Sequence, residues 1–153
     1  GRHAWFTWWK AIMTGICCRR MILLDTHVLV WLTKGLDMLG AQARQLADEA
    51  LGKNELAVSA ITFWEVEMLI QRGRIDLMQS TTAWRQTLLD QGLMEMPIAG
   101  DLGIRASALS DFHRDPADRF ITMTALHYSA QLVTADERIL GWPGTLLRHD
   151  ARQ

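Results

Sequence analysis

The sequence predicts an α/β fold of three layers, an α/β/α sandwich whose central sheet is parallel, and three observations lead there. Short apolar runs of strand length recur at residues 21–24, 56–60, 93–96 and 131–134. Segments with apolar residues at helical spacing lie between them. No Asn-Gly or Asp-Gly pair joins neighbouring runs, so the strands are expected to connect through crossover helices instead of hairpins.

The first run, residues 21–24, is apolar throughout, as suits a strand covered on both faces, and Asp25 stops it. Residues 26–32 follow a helical pattern and residues 35–40 read as a loop bounded by glycines. Leu46, Ala47 and Ala50 share a face of a helix over 41–51, which Gly52 is expected to end. A second strand spans 56–60. Ser59 or Thr62 is placed to cap the next helix, 63–71, which carries Glu65 and stops at a left-handed Gly73. Residues 82–90 form another amphipathic helix, 93–96 a third strand closed by Pro97, and 101–109 a further helix. The charged passage DFHRDPADR, residues 111–119, leads into a helix over 116–128. The fourth strand is 131–134, a helical turn covers 136–140, and 145–147 is expected to be a last strand.

The 153 residues suit one domain with a single core, and 49% hydrophobic with 22% charged residues is a globular balance. The net charge of −1 hides an uneven distribution. Arg2, Lys10, Arg19 and Arg20 precede any acid, which leaves residues 21–153 at about −5. Such a body has no general affinity for nucleic acid, so a phosphate ligand needs bound cations or a local patch of Arg and Lys. Cys17 and Cys18 are neighbours, unable to staple distant segments or form a zinc site, and fit a reducing, cytoplasmic setting. No run of about twenty apolar residues predicts a transmembrane helix. Residues 1–20, with Trp5, Trp8 and Trp9, read as an extension distinct from the domain at 21–150. Their basic residues fall in the wrong order for a secretory signal.

Asp25, Asp118 and Asp136 share a setting at a strand end, a helix start or the hinge between them. In open parallel sheets ligands bind at the carboxyl ends of the strands, which places Asp25 and Asp136 on that rim. Glu65 begins its helix a short turn after the second strand and can lean over the same edge. Four gathered carboxylates repel unless cations or protons lie between them, and an oxygen-only set selects a hard ion such as magnesium or manganese. The same residues also suit plain helix starts. Asp115 fits an N-cap followed by Pro116, with Asp118 favourable against the helix dipole, and Asp25 and Asp136 fit caps as well.

Four segments taken together, MILLDTHVL at 21–29, VSAITFWEV at 58–66, HRDPADRFI at 113–121 and LVTADER at 132–138, resemble in order and spacing the signature blocks of VapC-like PIN-domain toxins. The resemblance covers residues 21–149. It implies a PIN-like fold and a magnesium-dependent endoribonuclease, manganese being an alternative ion, that cleaves RNA with metal-activated water. It further implies a homodimeric toxin held in check by a VapB-like antitoxin that covers or enters the acidic cleft. Position by position, it carries Asp25, Glu65, Asp118 and Asp136 over as catalytic and metal-binding acids, with Asp25 and Asp118 as direct ligands. Asp115 is carried over as a cap or supporting residue.

Around these acids, Arg114 and Arg119 are placed to hold a phosphate or to pair with nearby carboxylates. Thr134 is placed to orient Asp136 or a water. His27, His113 and His127 have no ligand spacing and read as surface or packing residues. Trp31, Trp64 and Trp84 lie on apolar helix faces, for core or dimer packing. No glycine-rich phosphate loop or Gly-X-Ser-X-Gly elbow is present. The competing readings are a DNA-directed nuclease of related fold and a non-catalytic binding module whose acids only cap helices.

Overall fold

The computed structural model describes residues 20–153, so the expectations for the extension fall outside the described residues except at Arg20. Five strands alternate with seven helices: β1 (Ile22–Leu24), α1 (Thr26–Lys34), α2 (Ala41–Gly52), β2 (Leu56–Ser59), α3 (Ile61–Gln71), α4 (Thr81–Asp90), β3 (Met94–Met96), α5 (Gly100–Ser107), α6 (Pro116–His127), β4 (Gln131–Thr134), α7 (Glu137–Leu140) and β5 (Arg148–Asp150). The sheet has the order β3-β2-β1-β4-β5 and every pairing is parallel. The predicted three-layer sandwich is therefore what the chain forms.

Alternation along the strands divides the core between the two faces of the sheet. Ile22, Leu24, Leu56, Val58 and Val133 point to the side covered by α1, α2, α3 and α4, where Val28, Leu29, Ala47, Val66 and Trp84 meet them. Leu23, Ala57 and Leu132 point to the other side, against Phe112, Ile121, Ala125 and Ile139. Helix α5 packs on α6 by way of Leu102, Ala106 and Met123. Burial on both faces explains why the central strands read as unbroken apolar runs.

Two expectations are corrected. The last strand is Arg148–Asp150, not 145–147. It lies on the sheet edge beside β4 alone, where half-buried polar residues suffice, while Leu146 of the apolar pair is buried in the α6–α7 cluster. Gly52 does not end its helix. It is the last helical residue of α2, and Asn54 supplies the left-handed turn at φ 57°, a conformation asparagine tolerates. Gly73 does act as foreseen, at φ 68°, with its amide bonded to Ile70 O and that of Arg74 to Leu69 O.

The register positions the functional edge. Ile22 pairs with Gln131 and Leu24 with Val133, so β1 and β4 end side by side. The chain leaves β1 toward β2 and β3 and later returns on its other side as β4, which makes the β1–β4 boundary the switch point where such sheets open a crevice.

The two helix-end glycines separate by substitution. Gly52→Ala, at an exposed helical position with open space for a Cβ, should stabilise the protein by about 1 kcal/mol. Gly73→Ala, forced to keep a positive φ, should destabilise it by about 1 kcal/mol. Urea unfolding midpoints measure both, and shifts of the same sign would contradict this assignment of the turns.

Candidate functional site

Asp25 follows β1 directly and caps α1. Its Oδ1 accepts the Thr26 amide at 2.7 Å and its Oδ2 accepts the Thr134 hydroxyl at 2.7 Å. Thr134 is fully buried, and its Oγ1 also accepts the amide of Asp136 at 3.1 Å. One threonine at the end of β4 thus fixes both the Asp25 carboxylate and the turn that carries Asp136, a firmer role than the sequence indicated. Each Asp25 oxygen has a lone pair left.

Asp118 is the centre of the cluster. It lies in the first turn of α6, 7% exposed, with its amide bonded to the capping Asp115 Oδ1 at 3.2 Å. One set of ligand-type oxygens within 4.8 Å of one another joins Asp118 to Glu65 and Asp115. A second set at the same spacing joins it to Asp136 and His113. Glu65, half-buried on α3, faces the Thr26 hydroxyl and feels the Asp25 charge. Asp136 caps α7, accepting the amides of Arg138 at 2.8 Å and Ile139 at 3.2 Å. Glu65, Asp115, Asp118 and Asp136 therefore converge from three separate segments, and Asp25, in neither set, lies within electrostatic reach of Glu65, Asp118 and Asp136.

Their crowding shows in proton affinity. Burial, followed by the charges of Asp25, Asp115, Asp136 and Glu65, pushes the Asp118 carboxyl up to about 8. Burial also raises Asp25 and Glu65 above the ordinary carboxylate range. Asp136 goes the other way, because the bonds from Arg138 and the α7 amides outweigh its own burial. His113, which the sequence reading assigned to surface or packing, places Nε2 2.6 Å from Asp118 Oδ2 while its ring stacks on Phe112. Burial and the nearby Arg138 hold this imidazole below its usual value. Both shifts place the shared proton on Asp118. The only hint in the sequence was position, five residues before an acid.

Arg119 does not face the crevice. Its guanidinium donates to the carbonyls of His113, Phe112, Ala106, Leu109 and Ser107, at 2.8–3.4 Å, and lies over the Phe112 ring. Those bonds tie the end of α5 and the loop before α6 to one point, so Arg119 holds His113 in place and has no fork free for phosphate. Arg114 is exposed on the same loop and has no ion-pair partner among the described residues. Trp84 is buried in the core, Trp31 is half-buried, and Trp64, beside Glu65, is 50% exposed.

The donor set fits a hard divalent ion. Apart from the His113 imidazole it consists of carboxylate oxygens, and burial followed by four neighbouring acids raises the proton affinity of Asp118, a cost that a cation would offset. Beside it, a groove of about 830 Å³ opens at His27 between α1 and the end of α3, lined by Trp31, Leu69, Ile70 and Ile75.

Residues 22–141 match the family described as PIN domain. The chain is 36% identical over 119 residues to "Ribonuclease VapC22" of Mycobacterium tuberculosis, a match spanning 77% of this chain and 88% of that protein. Among solved structures, VapBC2 from Rickettsia felis bound to a DNA fragment from their promoter aligns with TM-score 0.61 and 18% identity over 84% of this chain and 97% of that one. A toxin-antitoxin complex from Klebsiella pneumoniae aligns with TM-score 0.54 and 23% identity over 80% and 92%. FitAB bound to IR36 DNA aligns with TM-score 0.55 and 18% identity over 84% and 94%.

Two measurements test the site. The folded chain holds the Asp118 proton more tightly than an unfolded aspartate of pKa 3.8, so the stability it contributes is complete below about pH 4 and lost as pH rises through about 8. With chelator present, the melting temperature should fall across that window, and Asp118→Asn should flatten the fall and raise the value at pH 8. An unchanged profile in the variant would mean the carboxyl is ionised throughout. Arg119→Lys, which keeps the charge but loses the planar fork, should cost about 2 kcal/mol by denaturant unfolding, and an unmoved midpoint would refute its anchoring role.

Proposed function

The chain belongs to the PIN-domain family, and on that premise we propose that it is a divalent-metal-dependent endoribonuclease, the toxin of a VapC-like toxin–antitoxin pair, with Asp25, Glu65, Asp118 and Asp136 as its catalytic acids. The observation that carries this reading is the buried Asp118, surrounded by carboxylates from separate segments at the sheet's switch point. Such an arrangement stores repulsion that only protons or cations relieve.

Asp25 and Asp118 are the direct ligands in this reading. Asp25 is held rigidly by Thr134 and the Thr26 amide with lone pairs to spare, and Asp118 is shared by both sets of ligand-type atoms. Glu65 completes the set directly or through water. Asp136 has most of its lone pairs taken by amides and Arg138, so it acts through water. A magnesium or manganese ion held by these residues would neutralise phosphate charge and lower the pKa of water so that hydroxide, the attacking nucleophile, forms near neutral pH. Because Asp118 must give up its proton to serve as a ligand, ion uptake releases protons and strengthens as pH rises. Arg114, on the exposed loop, is free to meet a phosphate of single-stranded RNA, whose backbone can enter an open crevice. The ion and this arginine answer the net negative charge of the body.

A VapB-like antitoxin is the expected partner, covering the acidic crevice, with the apolar groove at His27 offering anchorage beside it. A homodimer gives the exposed Trp64 a surface to pack on.

Purified protein should cut RNA with magnesium and stop with EDTA, and Asp25→Asn or Asp118→Asn should each lower the rate at least about a hundredfold. Their metal-free melting temperatures should equal or exceed that of the parent protein. DNA cut while matched RNA stays whole would replace the RNA assignment. Undiminished cleavage by both variants, with stability lost, would reduce the acids to helix caps.

A further inference from the structure

Asp118 has two sides, and they are treated differently. Toward Glu65 and Asp115 its neighbours are carboxylates. Toward Asp136 a cation is already present. Arg138 Nη2 lies 3.2 Å from Asp136 Oδ2 and 3.5 Å from Asp118 Oδ2, and Nε lies 3.4 Å from Asp136 Oδ1. Its guanidinium therefore spans the two acids that would otherwise share a divalent ion on that edge. His113 Nε2 takes the same Asp118 Oδ2 at 2.6 Å. Both of these contacts fall on Oδ2 of Asp118, which leaves Oδ1 open.

We propose that Arg138 is a built-in counter-ion for the Asp118–Asp136 edge, which limits the protein to one tightly held divalent ion, on the side of Asp118 that faces Glu65. The proposal rests on the metal-site reading above and deepens it. Its physical basis is that a guanidinium and a divalent ion compete for the same lone pairs, and that a positive charge a few ångströms away disfavours a second cation. The side chain of Arg138 is 59% exposed, so it faces the two acids while keeping much of its hydration, and holding that position costs little desolvation. Its placement is local and secure, because residue 138 lies in the first turn of α7 and its own amide is bonded to Asp136 Oδ1 at 2.8 Å. The backbone bond survives any change of side chain, so substitution removes the counter-ion without removing the cap.

Manganese binding, counted by the free-ion EPR signal during titration at pH 7.5 and checked by calorimetry, tests this on the full chain. The parent protein should take up one ion tightly, and Arg138→Ala should take up two, the second at least about tenfold tighter than any second uptake by the parent. Arg138→Lys, which restores the charge, should return toward one. In Arg138→Ala combined with Asp136→Asn the second uptake should vanish while the first remains. Equal stoichiometry and affinity in parent and Arg138→Ala would overturn the proposal while leaving the metal site intact. Two tight ions in the parent would overturn it as well. No uptake by the parent would instead overturn the metal-site reading on which it rests. Circular dichroism and the melting temperature of each variant show whether the fold is retained, and Arg138→Gln, with similar bulk and no charge, serves if the alanine variant does not fold.

Discussion

Mutual repulsion among carboxylates at the end of β1 and β4 is the constraint to which the rest of the structure answers. Left to themselves, charges this close would spread apart or open the crevice. The chain resists because each acid is tied to something stiff. Asp25 is bound between a buried threonine and a helix amide, Asp118 is set in the first turn of α6, and Asp136 is fixed by two amides of α7. Burial, followed by this repulsion, then raises the proton affinity of Asp25, Glu65 and Asp118. The proton on Asp118 and the guanidinium of Arg138 offset part of that negative charge.

Helix capping and ion binding are not rival explanations of these aspartates. Asp25, Asp115 and Asp136 each cap a helix with one or both oxygens. A capping bond orients the carboxylate, and the positive end of the helix eases the cost of gathering negative charge. What distinguishes the three is how much of each carboxylate remains open. Asp25 keeps a lone pair on each oxygen, whereas Asp136 is nearly saturated by its own turn and Arg138.

The support behind the site comes from residues that touch no ligand. Arg119 gathers carbonyls from the end of α5 and from the loop before α6, and so holds the segment on which His113 stands. Without it the loop would carry several carbonyls with no partner. Thr134 does comparable work at the other side of the crevice. Both are polar side chains used as internal fasteners, and both were read in the sequence as groups for substrate, water or a single acid.

The sequence by itself determined the layered parallel fold and pointed to four acids at the edge of its sheet, because the signals are local. An apolar run means a strand covered on both faces, and an acid at a strand's end or a helix's start lies at the edge of the sheet wherever the strands later pair. Boundaries were less legible where one residue type serves two purposes, as when Leu146 and Leu147 read as a strand but the polar edge strand lies after them, or when Asn54 did the work expected of Gly52. Tertiary structure alone decided which lone pairs stay open, that His113 meets Asp118, that Arg119 turns inward, and that Arg138 bridges two acids twenty or fewer residues apart in sequence. Those facts depend on the register of β1 against β4 and on how α6 lies over the sheet. Distances between side chains on different elements are set by packing and pairing, which spacing along the chain does not encode.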